Sequence, residues 1–328
     1  MGGDHAPARI VDGALAAARH LGIGVDLVGR TAAIRDELAR HSDGEALDVR
    51  IIDASDVIEM AELPAQALRR KPRASIRVAA ELVARGEAAA LVSAGHTGAT
   101  VVAAHAAFGM IRGVDRPALA PSVPTRDGSA VLIDAGATVD CKPAYLLQFG
   151  VMGAVYARAW GGIARPRVGL LSIGEEETKG TDLTREAHKL LKASSLNFVG
   201  NVEAREIFAG RADVIVCDGF TGNVALKLSE GLVEMVEELL GAELQSTFSA
   251  QVGSLLSRRA FRRFRKRVDY SEYGGAPLLG VSGIAVVGHG RSSPKAVRNG
   301  IAMAYRFAAD RFIERIEREI AGAAAPHR

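Results

Sequence analysis

Cysteine is nearly absent: Cys141 and Cys217 are the only two in 328 residues, and no CxxC or CxxH pair occurs. Neither a disulfide framework nor a zinc site is indicated, and both thiols read as small buried hydrophobes in a reducing compartment. Aromatic residues make up only 5% of the chain, which argues against binding single-stranded nucleic acid by base stacking. No apolar run approaches the roughly 18 residues of a membrane span, and no signal-peptide pattern is visible, so a cytosolic location is expected. Charge of one sign is not in excess: the net +3 does not describe a polyanion binder. Several signatures are also missing. Gly288-His-Gly290 runs into Arg-Ser-Ser rather than completing GxGxxG, no acidic ribose partner follows, and no Walker A loop, GxSxG elbow or HExxH occurs. Nicotinamide, nucleotide, serine-hydrolase and zinc-protease chemistries lose their sequence support.

What is present is an alternation of short apolar runs with longer helical patterns. The runs are Val25–Val28, Val49–Ile52, Ala88–Val92, Ala130–Ile133, Val168–Ile173, Asn197–Val199, Val214–Cys217 and Ile284–Val287. They are continuously apolar, as strands buried on both faces are. Helices are expected at Ala8–Leu21, after Gly98 to Met110, from about Ala144 to Trp160, over Leu183–Leu191, and from Lys295 to about Ile320, with Ser293 as N-cap and Pro294 in the first turn. The pattern predicts an α/β fold with a mainly parallel, Rossmann-like sheet sandwiched by helices. The Pro-rich stretch Pro117–Gly128 is a candidate lobe boundary.

Five glycine-rich or polar turns stand out, most of them directly after strands: Gly2-Gly3-Asp4-His5, Ser93–Gly98, Gly174–Asp182, Asp218–Asn223 and Gly288–Ser293. Glycine lets backbone N–H groups converge on an anion, and open parallel sheets hold ligands at the carboxyl ends of their strands. The turns supply the candidate phosphate and substrate contacts: Gly2, Gly3, Asp4 and His5; Ser93, Gly95, Thr97 and Gly98; Glu175, Glu176 and Gly180; Gly222; and His289, Ser292 and Ser293. Lys179, between two glycines at a strand-to-helix turn, adds a cation. His5, His96 and His289 are candidate acids or bases, each weighed against a structural hydrogen-bonding role. Asn223 reads as a helix cap or as a donor to a developing oxyanion. Cys141 beside Lys142 could be a nucleophile, but no histidine lies near it in sequence, and a structural role is preferred. No metal is called for.

Arg258–Arg267 carries seven basic residues in ten. At about 100° per residue, Arg258, Arg259, Arg262, Arg265 and Lys266 share one arc, opposite Phe261 and Phe264. This is a basic amphipathic helix, suited to an anionic lipid surface or an acidic protein, or simply a solvated face.

The stretches Met1-Gly-Gly-Asp-His-Ala-Pro7, Ser93-Ala-Gly-His-Thr-Gly-Ala99, Val139-Asp-Cys-Lys-Pro143, Gly174-Glu-Glu-Glu-Thr-Lys-Gly180, Asn197-Phe-Val-Gly-Asn-Val-Glu203, Cys217-Asp-Gly-Phe-Thr-Gly-Asn-Val224 and Asp269-Tyr-Ser-Glu-Tyr-Gly-Gly-Ala-Pro-Leu-Leu-Gly280 resemble, in order, the bacterial phosphate acyltransferases of phospholipid synthesis. The resemblance implies one α/β domain over residues 1–328, related to phosphate acetyltransferases and isocitrate-type dehydrogenases, with a projecting two-helix hairpin at about 226–268. It implies transfer of a long-chain acyl group from acyl carrier protein to inorganic phosphate without a cofactor, with a coenzyme A thioester as the alternative donor. It further implies a homodimer, a membrane surface and a downstream glycerol-3-phosphate acyltransferase as partners, no nucleic acid, and a cytoplasmic enzyme held peripherally at the inner face of the membrane. For that reaction Lys179, Asn223 and His96 are read from the residues themselves as the catalytic side chains, and Arg258, Arg259, Arg262, Arg265 and Lys266 as the partner-facing ones. Two departures are visible: the family usually has a short strand before Gly-Gly-Asp, so a sheet edge or gap is expected here, and it commonly has Asn where His96 stands.

Overall fold

The computed structural model describes residues 1–41, 47–268 and 274–323. The strands are β1 (Val25–Gly29), β2 (Val49–Asp53), β3 (Ala90–Ser93), β4 (Ala118–Leu119), β5 (Ser122–Thr125), β6 (Gly128–Ile133), β7 (Arg167–Ser172), β8 (Asn197–Glu203), β9 (Val214–Val216), β10 (Ala276–Leu279) and β11 (Ile284–Val287). The helices are α1 (Ala8–Leu21), α2 (Thr31–Leu38), α3 (Pro64–Arg70), α4 (Ser75–Ala84), α5 (Thr97–Phe108), α6 (Pro143–Gly161), α7 (Asp182–Ala193), α8 (Gly219–Gln245), α9 (Phe248–Leu256), α10 (Arg258–Val268), α11 (Pro294–Ala309) and α12 (Phe312–Ala323).

The strands form three sheets rather than one: β1-β2, β3-β11-β10-β4 and β5-β6-β9-β7-β8. Parallel ladders dominate, as the continuous apolar runs predict. Two strands run the other way. β5 turns directly into β6 through Arg126-Asp127, with Thr125 opposite Gly128, and β10 pairs antiparallel with both β11 and β4. Short connections of this kind join only antiparallel neighbours. β1 and β3 do not pair. A groove of about 600 Å³, with Val25, Asp26 and Leu27 on one side and Ala88, Ala90 and Val92 on the other, separates them.

The largest core cluster joins the two larger sheets through α6. Pro143 opens this helix, and Gly162, in the left-handed region at φ 67°, closes it with an N–H to the Ala157 carbonyl. It is apolar on all sides and buried throughout residues 149–157, as a helix packed on every face must be. One expectation is corrected here: Lys295–Ile320 is two helices. Arg311 takes a positive φ of 50°, and the turn stacks Phe312 on Phe307 at 4.2 Å and sends Ile316 and Ile320 into the core. Burial of those three side chains outweighs one strained backbone position.

Candidate active site

Four of the five polar turns meet where the two larger sheets face one another. The Asp4 N–H donates to the Gly290 carbonyl at 2.9 Å, and the Gly288 N–H donates to Ser93 at 2.7 Å, which ties the first, second and last turns together. Thr97, Asn223, Lys227, Glu230, His289 and Ser292 then line one cleft of about 130 Å³. Gly2, Gly3, Ser93, Gly95 and His96 instead border an adjoining cavity of about 150 Å³ on the other side of the β3 turn. Gly98 lies in the first turn of α5, against Pro64. His5 is exposed, and Ser293 is occupied as the N-cap of α11, accepting from the Ala296 N–H at 3.2 Å.

Asn223 is delivered to the cleft by α8. That helix is capped by Asp218, which accepts from the Thr221 N–H at 2.9 Å, so Asn223 is released from the capping role the sequence also allowed. The first turn of α8 packs so closely on the end of β6 that a Cβ on Gly222 would sit 1.9 Å from the Asp134 carbonyl oxygen. Only glycine permits that approach. Lys227 and Glu230 follow Asn223 at i+4 and i+7, which puts all three on one helix face. Lys227 Nζ lies 2.7 Å from Glu230 Oε2. Neither residue was singled out from sequence, although this spacing was the available signal.

Asp134 was missed as well. It is fully buried at the end of β6, and its carboxylate accepts four backbone N–H groups: Leu119 at 2.7 Å, Gly136 and Ala137 at 3.0 Å each, and Thr138 at 2.6 Å. The loop wrapped around it presents Gly136 to Asn223. An acidic residue ending an apolar strand and followed by Ala-Gly-Ala-Thr was the signal for it.

His96 is not placed for proton transfer. Its Nδ1 accepts from the Ala99 N–H at 3.3 Å at the start of α5, and its Nε2 lies 3.1 Å from the Glu62 carbonyl ahead of α3, so both ring nitrogens are engaged. His289 lines the cleft with Nδ1 accepting from the Arg291 N–H at 3.2 Å. Burial, with Lys227 nearby, lowers its pKa and favours the neutral ring. Cys141 fits the structural role: its Sγ lies 3.4 Å from the Thr138 carbonyl, and burial, reinforced by the nearby carboxylates, pushes its thiol up to about 11.

The acidic turn Gly174–Asp182 contributes nothing to the cleft lining. It leaves β7, whose neighbour β9 leads into α8, so Lys179 and Asn223 rise from the same carboxyl edge on adjacent strands. Glu175 is held by Arg211 at 2.9 Å, and Glu177 pairs with Lys192. The side chains of Glu176 and Lys179 are exposed, and Lys179 makes no ion pair among the described residues. Gly180, at φ 96°, turns the chain into α7. Among the described residues, no cluster of His, Cys, Asp and Glu suits a metal ion.

The long α8 continues past the body of the protein. Its Leu228, Leu232, Met235 and Leu239 are exposed, and α9 and α10 follow it, so the projection contains three helices. Arg258 and Arg262, with Phe261 and Phe264, line a groove of about 430 Å³ against α8, and Arg259 is exposed. The side chains of Arg265 and Lys266, and residues 269–273 of the longest matching stretch, lie outside the described residues. Among the described residues, no helix is long and apolar enough to cross a membrane.

Three sheets in which parallel pairings outnumber antiparallel ones, with a cleft at facing strand ends, make this an α/β enzyme with the fold of phosphotransacetylases. The crystal structure of a phosphotransacetylase from Streptococcus pyogenes matches 91% of each chain with a TM-score of 0.61, at 17% sequence identity. The family follows from sequence. A family model described as "Fatty acid synthesis protein" matches residues 1–315. A phosphate acyltransferase of Geobacter sp. (strain M21) is 51% identical over 308 residues, 94% of this chain and 87% of the relative. One from Acidobacterium capsulatum is 51% identical over 326 residues, 99% of this chain and 97% of its own. The chain belongs to this family and is an acyltransferase.

Proposed function

We propose that this enzyme moves a long-chain acyl group from acyl carrier protein to inorganic phosphate, releasing acyl phosphate for phospholipid synthesis. The observation that carries this reading is Asn223, held by the capped and tightly packed first turn of α8 across a narrow cleft from the turns after β3 and β11. In the proposed reaction a phosphate oxygen attacks the thioester carbonyl carbon, the carbon–sulfur bond breaks, and the phosphate proton leaves with the carrier thiol. The protein's task is to hold two reactants and stabilise one oxyanion. Asn223 donates to that oxyanion. Thr97 and Ser292 hold the phosphate, His289 donates as a neutral ring, and Lys179 closes over the anion from the flank.

Two surfaces support the finer parts of the proposal. The exposed apolar row on α8 suits a second copy of the chain, and the basic face of α10 suits acidic carrier protein or anionic lipid at the inner face of the membrane. Mass spectrometry of products from palmitoyl-acyl carrier protein plus phosphate tests the reaction, with palmitoyl-coenzyme A in parallel. Palmitoyl phosphate from the carrier donor is expected. Turnover of coenzyme A alone would establish the alternative donor, and no acyl phosphate from either would end the proposal.

A further inference from the structure

Beneath the acidic turn lies a buried polar pair that the proposed chemistry does not use. His188 on α7 is 4% exposed and Asn201 on β8 is 2% exposed. Asn201 Nδ2 donates to the Glu176 carbonyl at 2.9 Å, so its Oδ1 must accept, and His188 Nδ1 donates to it across 2.9 Å. The Glu176 carbonyl also accepts from the Lys179 N–H at 3.0 Å, which closes the turn carrying Lys179. One carbonyl therefore joins a buried relay to the backbone of the exposed lysine. Phe198 packs edge-on against the imidazole, its centroid 4.9 Å away, and fixes the ring plane. A polar pair removed from water persists only if its hydrogen bonds are made, so the relay enforces one geometry at Glu176.

We propose that His188 and Asn201 are positioning residues that hold the Lys179 turn closed, through the Glu176 carbonyl, for anion contact. This rests on the reading of Lys179 as the cation that meets phosphate. The ties of Glu175 to Arg211, of Glu177 to Lys192 and of Glu177 to His188 Nε2 at 3.6 Å support the same inference: the turn's flanking carboxylates are drawn aside onto the body, and the lysine is left forward.

The test uses the full chain with Asn201→Asp, which keeps the shape but cannot donate to Glu176, together with His188→Phe and the conservative His188→Asn, whose amide can replace Nδ1–H. Native-state trypsin cleavage at the Lys179–Gly180 bond reads the turn directly and needs no activity. Cleavage at least about tenfold faster in Asn201→Asp and His188→Phe is expected, with His188→Asn near the parent and melting temperatures recorded alongside. In turnover, the two disruptive variants should raise the phosphate KM and lower kcat/KM about tenfold, with no further loss when combined with Lys179→Ala. If His188→Phe does not fold, Asn201→Asp decides alone. Unchanged cleavage in folded Asn201→Asp overturns the proposal, and so does faster cleavage with unaltered phosphate kinetics. A parent enzyme that makes no acyl phosphate refutes the functional reading instead, and the cleavage arm still reports whether the relay holds the turn.

Discussion

At the scale of single residues, Asp134 shows how a carboxylate can serve a site it does not touch. Its four N–H contacts fold the loop that brings Gly136 against Asn223. Burial pushes this carboxyl from 3.8 up to about 6, against the pull of the four donors. The folded protein therefore holds the proton more tightly than the unfolded chain does. The group's contribution to stability is full below about pH 4 and falls as pH rises toward 6, by about 3 kcal/mol. Asp134→Asn removes that dependence and sets an amide donor against the Thr138 N–H, which costs about 1–3 kcal/mol. Urea unfolding between pH 4 and 7 should show the parent losing stability relative to the variant as pH rises. A flat difference, or one that grows in the parent's favour, would contradict the assignment.

At the scale of elements, the junction of β6 with α8 is the tightest point of the site. Gly222→Ala would drive a methyl into the Asp134 carbonyl, with Cys217 Sγ only 2.8 Å away on the other side, so neither neighbour is free to yield. A stability loss of at least about 2 kcal/mol is expected from denaturant unfolding, and a parent-like midpoint would show that the helix can slide. Much of this level was legible in sequence. Eight of the eleven strands in the described residues were read, because burial on both faces leaves an unbroken apolar signature, and α11 opened at Ser293-Pro294 because capping chemistry is local. β4 and β5 were hidden in Pro117–Gly128 because they are short and Pro124 sits inside β5. The break at Arg311 was invisible because the helical period continues through it and only tertiary burial of Phe312 decides. In the site, glycine-rich turns announced themselves, whereas Lys227, Glu230, His188 and Asn201 gain meaning only once α8, α7 and β8 are placed.

At the scale of the whole molecule, the proposed function assigns chemistry and attachment to different parts. The cleft lies in the packed body, and the basic α10 lies out along the projection, so the two should be separable. Replacing Arg258 and Arg262 by Ser is expected to leave thermal stability within about 0.5 kcal/mol of the parent, as exposed substitutions do. It should weaken binding to vesicles containing anionic lipid, or raise the KM for acyl carrier protein, and the salt dependence of whichever changes should shrink. Parent-like values in both assays would leave α10 as a solvated face only.

The buried α6 carries one more consequence, for how this chain can vary through its lineage. Most helices have an outward face where substitutions drift almost without penalty, as α7 does with its charged row. α6 has none along residues 149–157, because β6 and β9 press on one side, α7 and α12 close the others, and a methyl on Gly153 would fall 2.5 Å from Val214 Cγ1. Innovation in substrate reach or attachment has to be written elsewhere, in the turns above the strands and along the projecting helices, while this one segment keeps both sheets in register.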